Sequence, residues 1–167
     1  MLEVTGPHVY GFDARGGRLP ASADGGEMWC ARSAPEPLID LAIHPRDPAH
    51  LVATGERGLH RSRDGGATWA PVKADAGLLA WPAADRMLLV RPGGNVRASA
   101  DGARTWRALS SVRGEPAALA AASREEAWAA LHDGRILRSR DGGATWSTAV
   151  RTWDRAAAGP TAAAGRS

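Results

Sequence analysis

The 167-residue chain has few of the residues that would indicate a disulfide framework, a membrane span or a secretion signal. It contains one cysteine, Cys30, which excludes an internal disulfide and a cysteine-cluster metal site. No apolar run approaches the roughly 18 residues of a membrane span. Met1–Tyr10 has neither the basic region nor the apolar region of a signal peptide. We therefore predict no membrane span and no signal peptide in this chain.

The charge pattern also excludes a class of partner. There are 21 basic and 18 acidic side chains, for a net charge of +3, and Lys73 is the one lysine. The arginines are spread along the chain beside aspartates, with no block of like charges. Because nucleic-acid binding needs a clustered basic face, we predict no nucleic-acid partner. Hydrophobic residues make up 44% of the chain, which argues against wholesale disorder.

An octapeptide recurs four times, and each copy is called a box below. The boxes are SADGGEMW at 22–29, SRDGGATW at 62–69, SADGARTW at 99–106 and SRDGGATW at 139–146. Their aspartates, Asp24, Asp64, Asp101 and Asp141, are 40, 37 and 40 residues apart. Three short extended runs precede each box and a fourth follows it. We therefore predict four short strands in each unit, lettered A to D in chain order and joined by turn residues.

Units of about 40 residues with four antiparallel strands are typical of β-propeller blades. We predict an all-β fold, a β-propeller of about four four-stranded antiparallel blades over residues 1–155. Alanine-rich Ala117–Ala122 has helix propensity, but its register with the other units predicts a strand. The predicted blades cover about 2–34, 35–75, 76–112 and 113–152, followed by a disordered tail at 156–167.

The box pattern, S-x-D-x-G-x-T-W, resembles the Asp-box, or BNR repeat, of sialidase-like β-propellers. The resemblance extends over about residues 2–150, and it is strongest to the C-terminal half of bacterial BNR-repeat proteins labelled glycosyl hydrolases. It implies that each box is a structural hairpin turn on the face opposite the functional pocket, and that a full-length parent protein is extracytoplasmic. The residues with this implied structural role are Ser22, Asp24, Gly26, Trp29, Ser62, Asp64, Gly66, Trp69, Ser99, Asp101, Trp106, Ser139, Asp141, Gly143 and Trp146.

Two boxes depart from the pattern. Met28 stands where the other boxes have threonine, and Ala103 stands where they have glycine. If that position needs positive φ, Ala103 is strained by roughly 1 kcal/mol. We expect both turns to be altered but present. We also expect Asp101→Ala to cost less stability than Asp64→Ala, because the third turn already departs from the pattern.

Candidate binding residues lie in the loops that join strand D to strand A and strand B to strand C, since these loops share one face of a propeller. Solvated loop ends are the alternative interpretation of each. The charged residues predicted there are Glu36, Glu56, Arg57, Asp75, Arg113, Glu115 and Asp133.

No catalytic or metal-binding set is recognisable in the sequence. Sialidases use an arginine triad and a tyrosine nucleophile, but the one tyrosine, Tyr10, lies on a predicted strand, where we expect it to be packed. The five histidines form no metal-ligand motif, so we predict no metal and no cofactor. Trp81 and Trp128 are interpreted as core residues, with sugar stacking as the alternative. Cys30 is expected to be a small buried residue.

The leading hypothesis is a non-catalytic propeller segment that acts as a scaffold or binding module for a glycan or protein partner. The alternative is a glycoside hydrolase, exo-sialidase-like, or a truncated fragment of one. We predict an open arc, with blade one not touching blade four and with self-association through the open blade faces. The residues predicted on those faces are Val4, Val9, Phe12, Ile136, Leu137 and Trp146.

Overall fold

The computed structural model describes residues 1–13 and 17–150, and the predicted tail at 156–167 lies outside these residues. This part of the chain holds sixteen strands and no helix. Blades one and two comprise β1 (Leu2–Thr5), β2 (His8–Gly11), β3 (Arg18–Ser22), β4 (Cys30–Ser33), β5 (Leu38–His44), β6 (Asp47–Gly55), β7 (Gly58–Ser62) and β8 (Ala70–Val72). Blades three and four comprise β9 (Leu78–Ala83), β10 (Arg86–Val90), β11 (Asn95–Ser99), β12 (Arg107–Ser111), β13 (Pro116–Ala121), β14 (Ala127–Leu131), β15 (Ile136–Ser139) and β16 (Ser147–Val150).

Each group of four consecutive strands forms one antiparallel sheet, and this confirms the predicted all-β propeller of four blades. The alanine-rich run is strand β13, which pairs with β14 from Pro116↔Leu131 to Ala121↔Ala127. In this strand Leu119 packs against blade three, so tertiary packing prevails over helix propensity. No helix in the described residues is long and apolar enough to cross a membrane.

Each blade has two faces, because successive side chains of a strand point to opposite sides. The back face is the one toward the preceding blade, and the front face is the one toward the following blade. Buried apolar clusters join front to back at three interfaces: Tyr10 and Leu19 with Leu41, Ile43, Leu51 and Ala53; Ala42, Val52 and Leu59 with Leu79, Trp81, Met87 and Leu89; and Leu88, Val90, Val96 and Ala98 with Ala127, Ala129, Leu131 and Leu137.

Among the described residues, no buried cluster and no strand pairing joins blade four to blade one. The side chains of Leu2 and Val4, on the back face of blade one, are 63% and 56% exposed. Strand β16, at the other end, is exposed along its length. The four blades therefore form an open arc with three internal interfaces.

The predicted membership of the two open faces needs correction. Val4 is on the open back face of blade one, but Phe12 packs against the cluster between blades one and two. Leu137 and Trp146 pack against blade three. Successive side chains of a strand point to opposite faces, so every second residue faces the same neighbouring blade. The sequence pattern identified apolar strand residues without identifying which of the two neighbouring blades they contact.

Candidate functional site

The second box shows how its serine, aspartate and threonine close the turn. The Ser62 hydroxyl donates to Asp64 Oδ1 over 2.7 Å and accepts from the Gly66 N–H over 2.8 Å. Asp64 accepts from the Thr68 N–H at 2.9 Å and from the Thr68 hydroxyl at 2.6 Å. Asp101 and Asp141 accept the same bonds from the threonines of their own boxes.

These hydrogen bonds favour the ionised form of each box aspartate. The Thr145 hydroxyl and N–H lower the pKa of Asp141 to about 2. Burial raises the pKa of Asp101, but hydrogen bonds from Thr105 and Ser99 outweigh it, so that this pKa also falls to about 2. The Thr68 bonds hold the pKa of Asp64 well below its usual range. The ionised carboxylates therefore accept hydrogen bonds within their own turns, which supports the interpretation of the boxes as structural.

The two departures have different consequences. Ala103 has φ of 66°, as the pattern predicts, and its N–H still donates to the Ser99 hydroxyl over 3.0 Å. The third turn therefore keeps its hydrogen bonds, and our reason for expecting a smaller cost of Asp101→Ala was wrong. The first box lacks one of these hydrogen bonds, because Met28 donates its N–H to Asp24 over 3.0 Å but has no hydroxyl.

The second, third and fourth boxes also contact the blade that precedes them. The indole N–H of Trp69 donates to the Ser33 carbonyl of blade one over 3.0 Å, and that of Trp146 donates to the Ser110 hydroxyl of blade three over 3.1 Å. Trp106 packs against the cluster shared with blade two. Among the described residues no blade lies behind Trp29, and its indole N–H donates to the Gly26 carbonyl of its own box over 2.9 Å.

The predicted loop residue Glu36 is buried, with its side chain only 3% exposed. Its Oε2 accepts from the Arg57 backbone N–H at 3.1 Å and from Arg57 Nε at 3.2 Å. Its Oε1 lies 3.4 Å from Nδ1 of His60. This carboxylate holds the turn between β6 and β7 and does not face solvent.

Three predicted residues share one cleft between the loops of blades two and three. Glu56, Arg57 and Asp75 line this cleft, whose volume is about 350 Å³. Arg91 lies there too, and its Nη2 is 3.2 Å from Asp75 Oδ2. Sequence reasoning missed Arg91, although it follows directly after strand β10, where the face-forming loop begins.

The remaining predicted residues lie beside blades three and four. Glu115 Oε2 accepts from the Gly93 N–H over 2.8 Å. Asp133 accepts from Nε of Arg135 over 2.8 Å, and the Arg135 N–H and guanidinium lower the pKa of Asp133. Arg135 also donates to the Arg113 carbonyl over 2.9 Å. The seven predicted residues therefore do not share one pocket.

A larger groove, of about 620 Å³, runs along β12, the edge strand of blade three, beside blade four. Arg113 and Arg135 are the two charged residues among those that line it. The Arg113 guanidinium makes no hydrogen bond or ion pair with the described residues, and its backbone has φ of 51°. The other lining residues include Leu109, Ser111, Leu137 and Trp146.

The innermost strands β1, β5, β9 and β13 line an axial channel of about 270 Å³. Burial there raises the pKa of Glu3 to about 7, and the negative charge of Asp40 adds to the effect. Asp40 accepts from the N–H groups of Leu41 and Leu79, each over 2.8 Å. Even so, burial raises the pKa of Asp40.

Tyr10 and Trp81 pack within the arc, whereas Trp128 pairs with Ala120 and Arg138 on the front face of blade four and is not part of a buried cluster. The Tyr10 hydroxyl donates to the Pro48 carbonyl of blade two over 3.0 Å, as expected for a packed strand residue. Trp81 is 7% exposed and meets His44 and His50 edge-on, with centroids 4.9 and 4.8 Å apart. Burial lowers the pKa of His50 to about 4, and the charge of Arg63 contributes.

Two further residue types can be placed. Cys30 is exposed, so the expectation of a buried thiol was wrong; it is on the short edge strand β4, which no further strand covers. Within the described residues, no group of three or more histidine, cysteine, aspartate or glutamate side chains is arranged to hold a metal ion.

No protein-family model and no curated protein matches this sequence. Solved β-propellers are similar in structure. YCF48 from Cyanidioschyzon merolae is 26% identical, with a TM-score of 0.59 over 68% of this chain and 37% of that chain. The structure described as YCF48 bound to D1 peptide is 20% identical, with a TM-score of 0.63 over 89% of this chain and 51% of that chain. The GH74 xyloglucanase from Xanthomonas campestris is 19% identical, with a TM-score of 0.65 over 86% of this chain and 29% of that chain.

These similarities agree with the geometry described above. They show a β-propeller of the kind found in YCF48 and in GH74 glycosidases. The chain spans about half of the length of these proteins or less.

Proposed function

We propose that this chain is a binding module that holds an extended segment of a protein partner in the groove between blades three and four. The observation that carries the proposal is the unpaired guanidinium of Arg113 beside the free edge of β12. An edge strand presents unpaired N–H and C=O groups to which a peptide strand can add. The groove volume, about 620 Å³, is in the range of ligand sites.

The chemistry of the groove favours an acidic segment. Arg113 and Arg135 are its charged lining residues, and a guanidinium suits a carboxylate because it can donate two parallel hydrogen bonds. Leu109 and Trp146 offer apolar surface beside them. The partner segment would therefore carry an aspartate, a glutamate or a chain-terminal carboxylate next to an apolar side chain.

The similarity to YCF48 supports a peptide partner, because that protein has been solved with a bound D1 peptide. At 20% identity the likeness concerns the fold, so the partner of this chain is inferred from its own groove. A glycan is the alternative ligand, because the boxes resemble those of sialidase-like propellers, which act on glycans.

The test is a displayed library of random peptides, selected on the full chain and read by fluorescence anisotropy with the individual hits. We expect hits enriched in acidic and apolar residues, with Arg113→Ala weakening their binding at least about tenfold. Arg91→Ala is the matched control, because Arg91 is an arginine in the other cleft and its ion-pair partner, Asp75, is exposed. Hits that bind Arg113→Ala normally, or selective binding to a glycan array in place of peptides, would contradict the proposal.

A second candidate is a fragment of a glycoside hydrolase, and one observation favours it. Glu3, with a pKa of about 7, is protonated in a large fraction of molecules at neutral pH, as a general acid must be. A panel of aryl-glycosides, including a sialoside, tests this function. Turnover that disappears in Glu3→Gln but persists in Glu56→Gln would support the hydrolase, and no turnover of any member would count against it.

A further inference from the structure

The three internal interfaces repeat one arrangement, in which the box of a blade sits on the front face of the preceding blade. A Cβ atom added to Gly66 would lie 3.2 Å from Leu19 of blade one, and one added to Gly143 would lie 3.2 Å from Leu88 of blade three. An atom added to Gly26, in the first box, would meet only Trp29 of the same box. The first box therefore lacks the surface on which the other boxes rest.

The back face of blade one is apolar and exposed as a consequence. Trp29 is 47% exposed, whereas the tryptophans of the other three boxes are partly buried. Leu2 and Val4 extend this exposed patch toward the axis, at 63% and 56%. Monomeric proteins seldom expose contiguous apolar surface of this kind without a partner.

The front face of blade four shows the complementary defect at matched positions. Ala42, Ala80 and Ala120 pair with Val52, Leu88 and Trp128 at the same place in their blades. Ala42 and Ala80 are 4% and 9% exposed because the following blade covers them. Ala120, at the same position of blade four, is exposed because no following blade covers it among the described residues.

The neighbours of Ala120 form a platform on this open front face. Arg138 pairs across the strands with Trp128 and lies 5.5 Å above its ring, and it forms an ion pair with Glu126. In blade three the corresponding pair is Leu88 and Ala98, and the box of blade four covers it. A tryptophan and a guanidinium make a suitable surface for another aromatic side chain.

We propose that two copies of this chain associate head to tail, with the first box of each copy on the front face of blade four of the other. Both halves of the missing interface are present in every copy, so the contact is heterologous and repeats until the ring closes. Two copies bring eight blades, which is within the range of closed propellers.

A second copy also fits the length of a related propeller. The chain spans 51% of the YCF48 chain solved with its peptide, so that two copies supply about as much chain as one such protein. The proposed ring is independent of the peptide groove, which lies on the outer side of an internal interface.

The test is the mass of the full chain by analytical ultracentrifugation up to about 100 μM, a concentration at which even weak dimers are populated. We expect a dimer and no larger species. Ala120→Arg, on blade four, and the double variant Leu2→Ala with Trp29→Ala, on blade one, should each raise the dissociation constant at least about tenfold. Ala120→Arg removes no internal contact, so it tests the face without threatening the fold.

Ile39→Ala is the matched control, because Ile39 is as exposed as Trp29 but belongs to neither open face. A 1:1 mixture of the two face variants should form more dimer than either variant alone, because one interface of the mixed pair is intact. A monomeric wild-type chain, a mass that grows with concentration beyond the dimer, or a loss of dimer in only one face variant would overturn the proposal.

Discussion

At the residue scale, the box aspartates act through hydrogen bonds to their own turns. In three boxes the carboxylate accepts from both the hydroxyl and the N–H of a threonine four residues later. The geometry leaves each carboxylate little freedom to face a substrate. Three equivalent carboxylates with equivalent partners indicate a repeated structural device.

The first box offers a direct test of the threonine. We expect Met28→Thr to raise the urea midpoint, because the new hydroxyl supplies the bond to Asp24 that the other boxes have. Met28→Val is the control, since valine has the same branched shape without the hydroxyl. Equal midpoints for the two variants, measured at one protein concentration, would remove the role assigned to the hydroxyl.

A second residue-scale prediction concerns acid. His50 has a folded pKa of about 4, below the ordinary value of about 6.5, so that unfolded chains bind more protons in this range. The stability that His50 contributes should therefore fall as the pH drops from about 6.5 to about 4, whereas Glu3, whose folded pKa of about 7 lies above its ordinary value, contributes a rise in the upper part of the same range. A second fall should follow toward pH 2, as Asp101 and Asp141 protonate through their folded pKa values of about 2.

The histidine contribution can be isolated by urea titrations at several pH values. His50→Leu should remove the fall that His50 contributes between pH 6.5 and 4, and leave the opposite contribution of Glu3 together with a remainder from His44, whose pKa burial also lowers. The lower part, below pH 4, should be unchanged. An unaltered slope between pH 6.5 and 4 in the variant would show that His50 does not contribute it.

At the element scale, the hairpin between strands C and D depends on backbone with positive φ. Gly66 has φ of 83°, and a Cβ atom there would lie 3.2 Å from Leu19 and 3.5 Å from Leu51. Gly25 has φ of 81°, with nothing within 4 Å. The two glycines therefore separate backbone strain from crowding.

We expect Gly25→Ala to cost about 1–2 kcal/mol, as an alanine in the left-handed region does. Gly66→Ala should cost more, because the methyl group also pushes blades one and two apart. Chemical unfolding measures both. A cost for Gly66→Ala no larger than for Gly25→Ala would mean that the interface yields freely to the added methyl group.

At the scale of the whole molecule, each blade is stabilised mainly by its neighbours, as in other repeat proteins. Leu19 is fully buried between blades one and two, so Leu19→Ala should cost about 2–5 kcal/mol. The Ala120→Arg background removes the proposed contact between copies. In that background we expect Leu19→Ala to speed hydrogen exchange only in blade one and in the strands facing it. Leu89→Ala, between blades two and three, is the control and should instead loosen the middle of the arc. Uniform exchange in both variants would indicate a single cooperative unit.

Much of the fold was determined by local sequence. The recurring boxes predicted four units, and the turn residues around them predicted sixteen short strands, because hairpins form between neighbours in the chain. Positive φ at Ala103 was raised as a condition for strain, since three glycines stand at the same position of the repeat, and the structure meets that condition with φ of 66°. These features depend on residues within one blade.

The interfaces and the site depended on contacts between distant residues. Only the tertiary structure showed that Phe12, Leu137 and Trp146 face internal neighbours, because one apolar pattern serves both faces of a blade. Likewise, Glu36 and Arg57 resembled free loop charges in the sequence, yet folding brings them together from 21 residues apart. Burial and pairing depend on how neighbouring blades pack. The sequence pattern of a single blade therefore does not predict which blade an apolar residue contacts or which loop charges pair.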